Sequence, residues 1–313
     1  MPNYSGSWNL VQQMQAVAAY NWPGSIAPGS IAIFSLGCTG CNGSTTRNQY
    51  TFSGCVNSTA ASATAASYQG SAAGNSTVGI FALGFISTSG STTRNKYTYS
   101  GCVVSSGAVS TANSRFGAAT GNSTVGIFAL GISPLCNSST TRNKYTYSNC
   151  VNASATASSA VSGNGSASGN STVGIFALGG NCGSTTRNKY TYSGDTNASA
   201  TASSATSYQG AATGTCSVGI FALGGCTTTR NKYTYSGDTN ASATASSANS
   251  SVGAAAGNST VGIFALGFIN GTGYSATRNK YTYSGDTNAT ATSSSAHSFG
   301  GSAASNGTTG VNV

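Results

Sequence analysis

Few side chains in this chain could carry acid, base or nucleophilic chemistry. Its 313 residues hold three acidic residues and one histidine, His297. Asp195, Asp238 and Asp286 each follow a Ser-Gly pair in successive copies of a repeat, so we expect them at equivalent turns far apart. General acid–base catalysis needs ionisable groups around one reacting atom, and no phosphate loop, zinc pattern or dinucleotide fingerprint is present. The sequence predicts a protein that is not an enzyme and takes no metal or cofactor.

The nine cysteines form no recognisable metal or redox motif. Cys38 and Cys41 have redox spacing but lack the βαβ context that gives it meaning. We predict mostly free thiols, with a disulfide such as Cys182–Cys226 between neighbouring copies as the alternative. In the first three copies a cysteine takes the turn position that aspartate holds in the last three: Cys55, Cys102 and Cys150.

The cations greatly outnumber the carboxylates. Twelve Lys and Arg against three acidic residues leave at least nine cations without a carboxylate partner in the chain. We expect the repeated arginines to be structural, bonding backbone carbonyls or stacking on tyrosines of the adjacent sheet. The alternative is a polyanion-binding surface with strong salt dependence, although nucleic acid is not the expected partner. The repeated arginines are Arg47, Arg94, Arg142, Arg187, Arg230 and Arg278.

These arginines lie 43 to 48 residues apart, and each opens a copy of the phrase Arg-Asn-Lys-Tyr-Thr or, in the first copy, Arg-Asn-Gln-Tyr-Thr. A repeat of this period is typical of propellers and solenoids. An apolar phrase precedes each basic phrase, and alternation in both predicts strands. The apolar phrases cover 31–37, 78–84, 125–131, 173–179, 218–224 and 261–267; the basic phrases cover 46–52, 93–99, 141–147, 186–192, 229–235 and 277–283.

Two further elements complete each copy. A Thr/Ala/Ser run such as 197–204 is interpreted as the outermost strand. A phrase of small residues is interpreted as the innermost strand, because only small side chains fit where strands converge on an axis. The small-residue phrases cover 70–75, 117–122, 165–170, 210–215, 253–258 and 301–306.

The order of the elements predicts how the repeats close. The first apolar phrase, 31–37, has no small-residue phrase before it, and the last small-residue phrase, 301–306, has no basic phrase after it. We therefore predict an all-β fold: a six-bladed β-propeller of four-stranded blades over 30–313, closed by the C-terminal strand. The order resembles the Kelch propeller repeat, whose double glycine persists at 179–180 and 224–225, although the Kelch tryptophan is absent.

Residues 1–29 lie outside the repeat. Val11, Met14, Val17 and Ala18 fall at helical spacing, and this predicts a short helix that Pro23 and Gly24 stop. The segment is interpreted as a plug on the propeller or an anchor to a larger assembly. No apolar run is long enough to span a membrane, and no signal peptide is recognised. The expected anchor residues are Trp8, Leu10, Met14 and Trp22.

The same segment resembles the start of structural proteins of tailed bacteriophages. The matching residues are Gly6, Trp8, Leu10, Gln13, Gln15, Trp22 and Pro23. The resemblance implies a virion component, such as a fibre tip, tail accessory or capsid decoration. Such a protein assembles in the host cytoplasm, becomes extracellular with the particle, and would contact other virion proteins through residues 1–29.

The alternative function is a receptor- or carbohydrate-binding adhesin module. The loops after the apolar strands vary most between copies, and variable loops on a repeated scaffold often carry binding sites. Phe85, Phe268 and Tyr274 are the aromatic candidates in those loops. The partner in that case would be a host cell-surface glycan.

Overall fold

The computed structural model describes residues 10–18, 29–39, 42–87, 89–132, 137–180 and 182–307. One α-helix, Leu10–Ala18, and one 3-10 turn, Tyr99–Gly101, accompany a set of strands. Six four-stranded antiparallel sheets make up the body of the molecule. The all-β prediction is confirmed, and so is the short N-terminal helix.

Each sheet contains the four strand types that the sequence predicts, in the order small-residue, apolar, basic and fourth strand. The small-residue strands are Ser302–Ser305, Ser71–Gly74, Ala118–Gly121, Ser166–Gly169, Ala211–Gly214 and Ala254–Gly257. The apolar strands are Ile31–Ser35, Val78–Ala82, Val125–Ala129, Val173–Ala177, Val218–Ala222 and Val261–Ala265. The basic strands are Arg47–Thr51, Arg94–Thr98, Arg142–Thr146, Arg187–Thr191, Arg230–Thr234 and Arg278–Thr282. The fourth strands are Val56–Ala60, Val103–Gly107, Val151–Ala155, Thr196–Ala200, Thr239–Ala243 and Thr287–Ala291.

Sheets 1 to 6 are numbered by these lists, and sheet 1 joins the two ends of the repeat region. Its apolar strand pairs with the C-terminal strand, with Ala32 opposite Ser305 and Ser35 opposite Ser302. The predicted pairing of 301–306 with 31–37 is therefore confirmed.

The register of the basic strand against the apolar strand is the same in every sheet. In sheet 3, Ala129 lies opposite Arg142 and Phe128 opposite Asn143. Because side chains alternate between the two faces of a strand, this register sends the arginine and the asparagine to opposite faces. Every sheet therefore presents an arginine on one face and an asparagine on the other.

The fourth strands are shorter than the sequence predicts. In sheet 4 the strand ends at Ala200, whereas the predicted run extends to residue 204. The backbone N–H of Thr201 donates to the Asp238 carboxylate and that of Ser204 to the Asn231 side chain, both in sheet 5. The chain leaves its own sheet there because the next sheet supplies the hydrogen-bond acceptors.

The small-residue strands pack against one another. Each contacts the next in chain order, and Ser302–Ser305 contacts both Ala254–Gly257 and Ser71–Gly74. Small side chains are required by the close approach: a Cβ added to Gly126 would lie 2.7 Å from the Tyr147 hydroxyl oxygen and 3.2 Å from the Ala73 Cβ. This close approach is the steric reason for the small residues that recur in these phrases.

A ring of backbone hydrogen bonds lies at the start of the small-residue strands. The N–H of Phe116 donates to the Gln69 carbonyl, and equivalent bonds of 2.6–3.0 Å link each sheet to the one before it. The sixth bond returns to the first residue, because Gln69 donates to Gly300. All six residues have φ between 52° and 63°. They are Gln69, Phe116, Asn164, Gln209, Val252 and Gly300, and we call them the backbone ring.

Short strands extend the loops that follow two of the apolar strands. In sheet 2, Phe85–Ile86 pairs with Ser89–Gly90. In sheet 6, Phe268–Ile269 pairs with both Ser250–Ser251 and Gly273–Tyr274. These loops and the backbone ring share one end of the sheets, which we call the loop end.

Candidate functional site

The repeated arginines lie between sheets and are at most 1% exposed. Arg142 of sheet 3 donates from Nη1 to the Asn197 Oδ1 at 2.8 Å and from Nη2 to the Asn188 Oδ1 at 3.3 Å. Its guanidinium also lies 4.4 Å from the Phe176 ring centroid and 5.8 Å from that of Tyr190. All four partners belong to sheet 4, so one arginine contacts three strands of its neighbour.

Equivalent contacts occur in the other sheets, with Arg47 of sheet 1 as the exception. Arg278 of sheet 6 donates to Asn57 and Asn48 of sheet 1, which links the last copy to the first. The acceptors are mainly asparagine side chains rather than the backbone carbonyls that the sequence suggested, although Arg94 and Arg230 also reach a carbonyl at 3.5 Å. Neighbouring carbonyls are already engaged in the strand ladders, so side-chain amides receive these donors.

Burial shifts the ionisation of these guanidiniums. Loss of hydration lowers the pKa of Arg142 to about 10, and the five equivalents shift to the same value. The guanidiniums stay charged at neutral pH, held by amide oxygens and aromatic faces.

Arg47 is an exception in this set. Val104 stands in sheet 2 where five sheets carry an asparagine, and the Arg47 Nη1 and Nε are buried without a hydrogen-bond partner in the described part of the chain. Its Nη2 still donates to Asn95, and it lies 4.5 Å from the Phe81 centroid.

The three aspartates lie in three different interfaces: sheets 3 and 4, 4 and 5, and 5 and 6. We call these the Asp interfaces. Asp195 accepts hydrogen bonds from the Tyr190 hydroxyl and, at 2.9 Å, from the Thr156 N–H, and it lies 3.4 Å from the Lys144 Nζ. Asp238 and Asp286 repeat this pattern with their own tyrosine and threonine. Each carboxylate thus has local structural partners and is not paired with another aspartate.

The environment favours the ionised form of each aspartate. Burial alone would raise the pKa of Asp195, but hydrogen bonds from Thr156 and Tyr190, together with the charge of Lys144, hold it below its usual value. The pKa values of Asp238 and Asp286 are lowered by the same balance.

Cysteines occupy the same turn in the other three interfaces, between sheets 6 and 1, 1 and 2, and 2 and 3, which we call the Cys interfaces. Lys96 Nζ lies 3.4 Å from the Cys150 Sγ. The alternative prediction of a Cys182–Cys226 disulfide is wrong, since both are free thiols. The sulfurs sit in separate interfaces and loops that the repeat holds apart. Cys55, Cys102, Cys150 and Cys216 are free as well, and Cys41 and Cys136 lie outside the described residues.

An aromatic cluster lies at the loop end of sheet 2. Phe85 is half-buried, with its ring centroid 5.0 Å from that of Tyr68 and 5.3 Å from the Arg115 guanidinium carbon. Phe85 and Tyr68 line a cavity of about 250 Å³ together with Asn42, Gly43, Ala66 and Ser87. The volume is somewhat below that of typical small-molecule sites, and the lining combines an aromatic floor with small polar groups.

A second cluster forms in sheet 6. The Tyr274 ring lies 6.4 Å from Phe268 and 5.0 Å from Phe299. Phe85, Phe268 and Tyr274 were predicted from the sequence, whereas Tyr68, Arg115 and Phe299 were missed. The missed residues come just before the small-residue strands, and the recurrence of an aromatic residue shortly before glycine there was the available signal.

The structure separates the other candidate groups. His297 is exposed, and the described residues contain no group of three or more His, Cys, Asp or Glu side chains that could hold a metal ion. A cavity of about 40 Å³ at the backbone ring has room for little more than a water molecule. The one described helix is too short to cross a membrane.

The N-terminal helix exposes part of its apolar face. Val11 is 61% and Met14 64% exposed, whereas Ala16 is buried. Trp8, Trp22 and the Leu10 side chain lie outside the described residues. Of the four predicted anchor residues, only the Met14 side chain can therefore be placed, and it is available to a partner.

Neither a protein-family model nor a curated protein sequence matches this chain.

Proposed function

We propose that the six sheets are the blades of a six-bladed β-propeller. The cyclic contacts of the small-residue strands, the backbone ring and the arginine contacts from sheet 6 to sheet 1 support this arrangement. Closure through a sheet shared by both ends also leaves only the short fourth strands as sheet edges. An experimental density map should reveal six blades around one axis, and an open stack of sheets would contradict the proposal.

We further propose that this propeller is a non-enzymatic structural protein. The observation that carries the proposal is the use of the ionisable groups: six guanidiniums are buried between sheets, and three carboxylates are bound by tyrosine and threonine in separate interfaces. The arginine contacts and the threonine bonds link one sheet to the next, which suits a rigid module. A measured turnover that Asp195→Ala, Asp238→Ala or Asp286→Ala abolishes would contradict it.

We place this structural role in a bacteriophage virion because residues 6–23 resemble the start of phage structural proteins. The exposed Val11 and Met14 support an anchor to other virion proteins rather than a plug. Mass spectrometry of purified particles should detect the chain. Deletion of residues 1–29 should abolish its incorporation while leaving its β-rich circular dichroism spectrum.

The matched control for that deletion is Val103→Ala, which truncates an equally exposed apolar side chain on a fourth strand. It should incorporate normally. Normal incorporation of the deleted chain would contradict the anchor, and loss of folding in the deleted chain would favour the plug.

Glycan binding at the loop end is the second candidate function. The half-buried aromatic cluster of Phe85, Tyr68 and Arg115 beside a cavity favours it, because apolar faces of sugars stack on aromatic rings while polar groups bind hydroxyls. Binding to an array of bacterial surface glycans should fall at least tenfold in Phe85→Ala and persist in Phe268→Ala. No binding to the array, or equal binding by both variants, would contradict this site.

A further inference from the structure

The Cys interfaces keep hydrogen-bond donors that the Asp interfaces use, but they lack the carboxylate. In the Asp interface of sheets 3 and 4, the Tyr190 hydroxyl and the Lys144 ammonium meet Asp195. In the Cys interface of sheets 2 and 3, the equivalent tyrosine is Tyr145, which faces the Cys150 thiol. The ring is fully buried, and its hydroxyl has no oxygen or nitrogen acceptor within the described part of the chain, because the group it meets is the Cys150 thiol, a weak acceptor.

The backbone holds the two side chains in the same way. Cys150 has φ of 56° and Asp195 has φ of 47°, so both residues adopt the left-handed conformation at the same turn. Lys96 Nζ lies 3.4 Å from the Cys150 Sγ, and Lys144 Nζ lies 3.4 Å from the Asp195 Oδ2. An anion at the Cys150 sulfur would therefore find an ammonium and a buried hydroxyl already in place.

We propose that Cys150, and after it Cys55, are peroxide-oxidation sites whose sulfinate completes the polar cluster of an Asp interface. A sulfinate carries two anionic oxygens on Sγ, one bond beyond Cβ, just as a carboxylate carries two on Cγ. The oxidised cysteine thus has the connectivity of aspartate, and its oxygens can accept from the tyrosine and the lysine.

The reaction takes two molecules of hydrogen peroxide for each cysteine. The thiolate sulfur attacks one peroxide oxygen, the O–O bond breaks, and the products are the sulfenate and water after transfer of the peroxide proton. The sulfenate attacks a second peroxide in the same way and gives the sulfinate and a second water. Each step oxidises sulfur by two electrons and reduces one peroxide.

The three Cys interfaces differ in how completely they could receive the anion. Cys55 lies 3.8 Å from the Lys280 Nζ, and the Tyr50 hydroxyl meets the Cys55 thiol with no oxygen or nitrogen acceptor among the described residues. Cys102 is exposed, but its neighbour is Gln49 at 3.8 Å rather than a lysine. We therefore expect the stabilisation on oxidation to fall in the order Cys150, Cys55, Cys102. Cys102 serves as an internal comparison, because peroxide can reach its thiol but no lysine lies beside it.

The test treats the full chain with hydrogen peroxide after Cys38→Ser, Cys41→Ser, Cys136→Ser, Cys182→Ser, Cys216→Ser and Cys226→Ser have removed competing thiols, which leaves only the three turn cysteines. Peptide mass spectrometry should find a gain of about 32 Da, two oxygens, at Cys150. The melting temperature should then rise by roughly 1–3 °C. The same treatment of a chain that also carries Cys150→Ser and Cys55→Ser should lose most of that rise.

Two further variants separate the bonding from the oxidation. Cys150→Asp should raise the melting temperature of the unoxidised chain, and Tyr145→Phe should remove most of the gain on oxidation because it removes the buried donor. Oxidation that stabilises Tyr145→Phe as much as its parent would overturn the proposal. So would a sulfinate at Cys150 that leaves the melting temperature unchanged or lowers it, or a Cys150 that peroxide does not oxidise.

Discussion

The Asp interfaces and the Cys interfaces are built on the same backbone but are held by different contacts. Both contain an arginine stacked on a phenylalanine of the next sheet. The Asp interfaces add a carboxylate that binds a tyrosine and a threonine, and Asp195 and Asp238 also pair with a lysine at 3.4 and 3.6 Å. In the Cys interfaces the equivalent hydroxyls of Tyr50, Tyr97 and Tyr145 meet a cysteine thiol, a weak acceptor, in place of a carboxylate. Both kinds of interface thus contain the arginine stack, whereas only the three Asp interfaces also contain the polar turn.

A second tyrosine row follows the same division in two of the three Asp interfaces, those of sheets 4 and 5 and of sheets 5 and 6. The Tyr235 hydroxyl lies 2.9 Å from the Ser168 Oγ, and the Tyr283 hydroxyl lies 3.3 Å from the Thr213 Oγ1, both in Asp interfaces. In Cys interfaces, Tyr147 lies beside Ala73 and has no partner among the described residues. Phe52 lacks the hydroxyl altogether and packs with Ala256. Two separate positions on the interface therefore change together from polar to apolar.

The largest effect is expected from the arginines. Arg142→Met should lower the free energy of unfolding by about 2–4 kcal/mol, because Asn188 and Asn197 lose buried donors. Arg47→Met should lower the free energy of unfolding by less than half as much, since the Arg47 Nη1 has no partner among the described residues and methionine can fill the space. Urea titrations of the two variants measure the difference. Equal losses would mean that the asparagine bonds contribute little.

The aspartates should show the next largest effect. Asp238→Ala should cost about 1–2 kcal/mol, because it leaves the buried Tyr233 hydroxyl without an acceptor. Cys102→Ala at the equivalent turn should change the unfolding free energy by less than about 0.5 kcal/mol. Thermal melts compare the pair directly. A loss in Cys102→Ala as large as that in Asp238→Ala would remove the distinction between the two kinds of interface.

Acid should weaken the Asp interfaces selectively. The folded pKa values of the three aspartates lie below the ordinary value of 3.8, so their contribution is present above that value and is lost as pH falls through the lowered pKa. The melting temperature should therefore decline from about pH 5 downward. A chain with Asp195→Asn, Asp238→Asn and Asp286→Asn should show a flatter decline. An unchanged acid profile would contradict these assignments.

The smallest effect concerns the second tyrosine row. Tyr235→Phe should cost about 1 kcal/mol, because the Ser168 hydroxyl loses its partner. Tyr147→Phe removes a hydroxyl that has no described partner and should be neutral or slightly stabilising. Differential scanning calorimetry can measure the difference in stability between these two variants. A destabilised Tyr147→Phe would show that its hydroxyl has a partner after all.

Much of the fold could be predicted because the pattern repeats. Alternation in the apolar and basic phrases gives the strands, and the unmatched phrases at 31–37 and 301–306 give the pairing in sheet 1. The end of the fourth strands could not be predicted, since Thr201 leaves its ladder for an acceptor in the next sheet. The aromatic cluster was predicted only through Phe85, because Tyr68 reaches it through a bridge between two loops.

Local periodicity along the chain specifies the number of copies, their strands and the faces of each strand. The partners of each side chain depend on how the sheets pack. Arg142 meets Asn188 and Asn197 because two sheets pack face to face, and no local pattern specifies which face meets which. The difference between aspartate and cysteine at one turn is visible in the sequence. The bond of that aspartate to the tyrosine five residues before it is also local, whereas its contacts with a threonine and a lysine depend on the neighbouring sheet.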